Sequence, residues 1–262
     1  MNWGTGLAGF AAGLLVATFT TPVGVSGAVF LLPVQLSVLQ VPNPAVTPTN
    51  LLYNIVATPG ALLRYSRQGR LRSRLTKLLV LGTLPGVVVG ALLRVFVVPG
   101  PQVFKLTVAT VLLPLGVWLI GRTLATVQPA STGSLSERST TLLALGVGTL
   151  GGVYGIGGGS ILGPILVGRG VPVAIAAPAA LSSTFVTSVV GSITYAVLGL
   201  VRSGDIGPDW TVGLLCGLGG LVGGYLGAHL QPRVPERTLR HLLGIVAIGV
   251  AAVYIVQAWP SA

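Results

Sequence analysis

Charge is what this sequence has least of. Of its 262 residues only 7% are Asp, Glu, Lys or Arg, against about 25% in an average soluble domain. So few charges cannot clothe a globule of this length in polar surface, which excludes an ordinary cytosolic enzyme and a disordered chain. Cysteine is nearly absent too. The single Cys216 rules out an internal disulfide framework and reads as a small packing residue in an apolar run. His229 and His241 fall at the ends of apolar runs, where an isolated histidine is ordinarily solvated. No cluster of metal-ligating residues and no catalytic triad can be assembled, so the chain is not read as an enzyme. Nor is a cofactor expected. The run GIGGGS from Gly155 puts Ser160 where a dinucleotide-binding fingerprint needs its third glycine, and no acidic residue follows about 20 positions on. A Walker lysine is missing as well. Finally, no Lys or Arg precedes the first apolar run, so that run is expected to stay as a membrane helix rather than leave as a signal peptide.

What is abundant is apolar: 52% of residues are hydrophobic, with 39 Gly and 18 Pro. Apolar stretches near the ~20 residues needed to cross a bilayer recur at 4–20, 25–41, 45–63, 78–98, 103–121, 140–156, 160–168, 173–201, 211–230 and 239–258. The expected fold is an all-α polytopic membrane protein of 8–10 membrane segments, embedded in the lipid bilayer. The pieces at 25–41 and 160–168 are short and bounded by Gly and Pro, as expected of second halves of broken helices. The net charge of +11 comes from thirteen Arg and two Lys against Glu137, Asp205, Asp209 and Glu236. Its densest run, Arg64, Arg67, Arg70, Arg72, Arg74 and Lys77, separates two apolar spans. That is the positive-inside pattern of a cytoplasmic loop, not a nucleic-acid surface.

The chain also repeats itself at half its length. PVGVSGAVFLLP (Pro22 to Pro33) aligns with VYGIGGGSILGP (Val153 to Pro164), VPNPAVTPTNL (Val41 to Leu51) with VPVAIAAPAAL (Val171 to Leu181), and Gly82, Gly86 and Gly90 with Gly219, Gly223 and Gly227. Two copies of one unit are expected, at 1–125 and 139–262, joined by a linker at 126–138 whose polar stretch runs from Gln128 to Arg138. If each half crossed four times, nine basic residues would lie inside and six outside. With an odd number of passes per half, twelve lie inside and only Arg94, Lys105 and Arg202 outside. The basic bias favours this second, inverted arrangement.

Inverted repeats place substrate near the midplane, where half-helix ends face a cavity. The glycine-rich breaks Gly24–Gly27 and Gly155–Gly159 occupy corresponding positions. Helix N-termini at Ser26 and Ser160 would present free N–H groups and positive dipole ends to an anion. The competing reading is that these glycines only allow close helix packing. Polar residues then crowd the following spans. Thr47, Thr49, Asn50, Tyr53, Asn54 and Thr58 stand in one, and Ser182, Ser183, Thr184, Thr187 and Ser188 in the other. Asn50 and Asn54 are four apart and share a helix face, as do Ser183 and Thr187. Ser and Thr can instead bond back to their own helix, whereas two asparagines in an apolar span are harder to leave unpaired. The rows Gly82/Gly86/Gly90 and Gly219/Gly223/Gly227 have the spacing of packing faces. No Asp or Glu lies inside any span, so no carboxylate marks an ion-coupling site.

Two copies of a G-x-G-G-G-x-x-x-x-P element, each followed by a Pro-led span, resemble the sulfite exporter TauE/SafE family. GIGGGSILGP (Gly155 to Pro164) matches closely, while GVSGAVFLLP carries Ser26 and Ala28 in place of glycine. The resemblance runs over nearly the whole chain. It implies a permease of the bacterial inner membrane that moves a small anion such as sulfite, thiosulfate, a sulfonate or a related organic anion. The expected substrate-binding residues are Gly24, Ser26, Gly27, Asn50, Asn54, Gly155, Gly157, Gly158, Gly159, Ser160, Ser183, Thr184 and Thr187. The same lining would also suit a passive anion channel, and packing alone would suit a non-transporting scaffold subunit.

Overall fold

The structure is a computed structural model that describes residues 3–71, 73–97, 106, 109–110, 113–118, 120–121, 136–201 and 207–258. Among the described residues it is all-helical, with nine α-helices. In chain order these are α1 (Trp3–Thr20), α2 (Ala28–Ser37), α3 (Asn43–Arg67), α4 (Arg74–Phe96), α5 (Glu137–Tyr154), α6 (Gly159–Gly168), α7 (Val173–Val201), α8 (Trp210–Leu230) and α9 (Glu236–Ala258). Residues 113–118 and 120–121 are helical as well. Four stretches, Gly4–Val23, Arg74–Phe96, Val173–Val201 and Trp210–Arg233, are long and apolar enough to cross a bilayer. The linker expected at 126–138 lies mostly outside the described residues, and α5 already begins at Glu137.

Local chemistry sets several of these boundaries. Ser73 starts α4 by accepting the Thr76 N–H at 3.0 Å, and Asp209 starts α8 by accepting the Val212 N–H at 2.9 Å. Each satisfies one of the four N–H groups that a helix start leaves unpaired. Gly24 (φ +77°) and Gly155 (φ +68°) end the segments before α2 and α6 in left-handed geometry, which glycine adopts without a Cβ clash.

At both glycines the chain turns back on itself. Gly27 lies beside Val16 and Gly9 beside Leu39, so α2 runs antiparallel to α1. The expectation of one helix broken in two is therefore corrected to a helical hairpin, because the left-handed residue reverses the chain instead of interrupting it. At ten residues, α2 is about 15 Å long, roughly half the hydrocarbon thickness. Most of α2 and nearly all of α6 are buried between the longer helices.

The long helices pack through their glycine rows. A Cβ on Gly86 or Gly90 would collide with the Leu145 or Thr149 carbonyl of α5, and one on Gly219 or Gly223 with the Phe10 or Leu14 carbonyl of α1. Such rows let backbones approach closely where apolar burial gives little drive. The opposite face of α8 exposes Leu214, Leu218, Val222, Leu226 and Leu230, a stripe suited to lipid.

The contacts also fix directions. Phe10, Leu14 and Thr18 of α1 meet Gly219, Gly223 and Gly227 of α8 in rising order, so these helices are parallel. Leu52 and Val56 of α3 meet Gly213 and Gly217 of α8 in the same sense. Thr83 and Val87 of α4 face Ser183 and Gly191 of α7, and α4 parallels α5 as well. Between the two groups the sense reverses: Thr47 of α3 meets Tyr195 of α7, and Leu51 meets Gly191.

Candidate functional site

The two chain reversals lie together at the middle of the molecule. In the first, the Gly24 N–H donates to the Thr21 carbonyl at 2.9 Å, and the Ser26 hydroxyl accepts the Ala28 N–H at 3.1 Å. The same hydroxyl donates to Oδ1 of Asn54 on α3. In the second, Gly155 and Gly157 both have positive φ. The Gly158 N–H donates to Thr187 Oγ1 of α7 at 3.0 Å, and the Ser160 hydroxyl turns back to the Ile156 carbonyl. Asn54 joins the two, because its Nδ2 donates to the Gly155 carbonyl at 3.2 Å. Thr47, two turns earlier on α3, donates to the Val153 carbonyl at 3.2 Å.

Helix starts differ slightly from those expected. α2 begins at Ala28 and α6 at Gly159, not at Ser26 and Ser160. Gly27 is the N-cap of α2, and the Ser26 hydroxyl, one residue before it, takes up the Ala28 N–H.

The structure separates the thirteen expected residues by what they touch. Gly24, Ser26, Gly27 and Asn54 meet at the first reversal, with Gly24 against Ala177 of α7 and Gly27 against the Tyr53 hydroxyl. Gly155, Gly157, Gly158, Gly159, Ser160, Asn50, Thr184 and Thr187 meet at the second, where Gly155 lies against Thr47 and Asn50 and Gly157 against Thr184. Ser183 sits to one side, its hydroxyl 2.8 Å from that of Thr83 on α4. Every polar side chain in the set is buried.

Asn50, beside Gly155, has an unsatisfied side chain, as does Gln35 on α2. Asn50 is 0% exposed, and neither its Oδ1 nor its Nδ2 has a hydrogen-bond partner. The hydroxyls of Thr184, Ser188 and Tyr53 are likewise buried without a partner. A buried polar group ordinarily finds one, so these atoms mark a place where the protein alone does not complete the bonding.

Sequence reasoning missed two residues. Thr83 is the partner of Ser183, and its only signal was a hydroxyl beside the Gly82/Gly86 row. Arg94 was counted with the loop charges, yet it is 6% exposed and donates to the backbone and side-chain oxygens of Asn43 at 3.2 and 3.0 Å. Its Nε lies 3.5 Å from the Thr47 hydroxyl, which puts a cation one residue removed from the second reversal. An arginine inside an apolar run was the available signal. Among the described residues no group of three or more His, Cys, Asp or Glu could hold a metal ion. The site thus offers neutral amide, hydroxyl and N–H groups in a buried interior, a set suited to binding.

The chain is similar to several curated proteins. Over 264 residues, covering 98% of this chain and 94% of the relative, it is 27% identical to a "Probable membrane transporter protein" of Xylella fastidiosa strain 9a5c. It is 28% identical over 240 residues, 90% of this chain and 87% of the relative, to "Probable membrane transporter protein ORF9" of Sinorhizobium sp.. A shorter match, 31% over 107 residues, covers 40% of this chain and 37% of "Probable membrane transporter protein YunE" of Bacillus subtilis strain 168. No solved structure matches. The profile of Sulfite exporter TauE/SafE matches residues 9–254. Long apolar helices, the named relatives and a profile match over nearly the whole length agree: this chain is a multi-pass membrane transporter, not an enzyme, and belongs to the sulfite exporter TauE/SafE family.

Proposed function

We propose that the chain is a permease for a small anion, sulfite, thiosulfate, a sulfonate or a related organic anion, bound between the two reversals and moved by alternating access. The observation that carries this reading is the buried, unpartnered amide of Asn50 beside Gly155, with the unpartnered hydroxyl of Thr184 across the same segment. A ligand would complete their bonding. Neutral donors suit an oxyanion without the desolvation cost of a buried cation. The family name points to a sulfur oxyanion.

We also read the molecule as two inverted repeats, 1–125 and 139–262. Helix directions support this reading. α1, α3 and α8 run one way and α4, α5 and α7 the other, so each element opposes its counterpart half a chain away. A four-pass half would make α1 antiparallel to α3, whereas both run parallel to α8.

Thermal unfolding of the detergent-purified protein against sulfite, thiosulfate, sulfate, sulfoacetate, taurine and lactate, with chloride as control, tests the permease. A ligand at 100 times its dissociation constant stabilises the folded state by about 2.7 kcal/mol. A selective upward shift with a sulfur anion, lost in Asn50→Ala, is expected. The absence of any selective shift would sink the proposal.

A further inference from the structure

Asn50 says more about its ligand than that it is an anion. Its amide presents an acceptor oxygen as well as two donor hydrogens, and both ends are buried and unpartnered. A fully deprotonated oxyanion offers only acceptors. It would satisfy Nδ2 and leave Oδ1 facing negative charge, in an interior where an unmade bond is expensive. The hydroxyls of Thr184 and Ser188, also 0% exposed and unpartnered, can each turn a hydrogen toward anionic oxygens. Asn50 therefore stands as the acceptor awaiting a donor. Charge points the same way. The side chains gathered at the reversals are neutral, and the nearby cation, Arg94, has its Nε 3.5 Å from the Thr47 hydroxyl. Removing a dianion from water costs about four times as much as a monoanion of equal size, since the ionic solvation energy scales with charge squared.

Resting on the permease reading above, we infer that the ligand is a singly charged anion that carries its own O–H or N–H donor beside the anionic group. Asn50 takes that donor and returns an N–H to the anion, and Thr184 holds a remaining oxygen.

The test compares isethionate with ethanesulfonate, two monoanions that differ by one hydroxyl, together with sulfate, a dianion without a donor. Binding is measured by calorimetry on the full-length detergent-purified chain. A site built to bond a ligand hydroxyl discriminates against the analogue lacking it, so isethionate should bind at least about tenfold tighter than ethanesulfonate, and sulfate weaker than either. Asn50→Ala should erase the gap between the two sulfonates, and Thr184→Val should weaken both alike. Equal binding of the two sulfonates, the result expected if a water molecule occupies Asn50, overturns this inference and leaves the anion permease standing. Tightest binding of sulfate does the same. Binding of none of the three overturns this inference, and the permease reading then stands or falls on the sulfite and thiosulfate arms of the unfolding experiment. The wild-type comparison decides even if Asn50→Ala fails to fold.

Discussion

Asn50 and Asn54 are one helical turn apart on α3, equally buried, and engaged in opposite ways. Asn54 spends its oxygen on Ser26 and its nitrogen on the Gly155 carbonyl, binding the two reversals together. Asn50 bonds to nothing. Their substitutions should therefore separate. Asn54→Ala leaves the buried Gly155 carbonyl without its donor, and unfolding should be easier by about 1–3 kcal/mol, read as a lower Tm in the absence of any anion. Asn50→Ala removes two unsatisfied atoms, so the Tm without anion should stay level or rise while the anion-dependent shift disappears. Spacing placed both residues on one face from the sequence, but which of the pair would be engaged by protein depended on contacts more than 100 residues away. Thr83 and Arg94 were hidden for the same reason: their partners, Ser183 and Asn43, are remote in sequence.

At the scale of the element, the glycines divide by what they face. On α5, a Cβ at Gly148 would stand 2.5 Å from the Thr83 carbonyl of α4, whereas one at Gly146 meets nothing within 4 Å. Gly148→Ala should destabilise by about 1–3 kcal/mol through overpacking. Gly146→Ala should stabilise by roughly 0.5–1 kcal/mol by lowering the entropy lost on helix formation. Detergent-resistant folded fraction against temperature, measured for both, checks the pair, and equal behaviour would remove the close α4–α5 contact. Helix positions were well legible in the apolar pattern, since runs expected at 173–201 and 211–230 correspond to α7 and α8. The hairpins were not. A glycine-rich interruption reads the same whether the chain continues onward or reverses, and only the left-handed φ of Gly24 and Gly155 decides it.

For the molecule as a whole, the inverted arrangement proposed above would put the loop after α3 and the loop after α7 on opposite sides of the membrane. With the buried Cys216 replaced by Ala, Arg70→Cys should react with an impermeant thiol label only after the membrane is opened, and Pro208→Cys should react from outside in intact cells. Labelling of both from one side would refute inversion. The helix contacts carry a further consequence for how such a molecule moves. α8, from the far end of the chain, packs on α1 and α3, and α4, from the near end, packs on α5 and α7. Each half has lent its partner a wall. The two packed groups of helices are thus drawn from both ends of the sequence, and the boundary between them does not follow its midpoint. The polypeptide passes from one group to the other between α3 and α4 and again between α7 and α8. On the permease reading proposed above, both connections would have to accommodate the exchange between an inward- and an outward-open form.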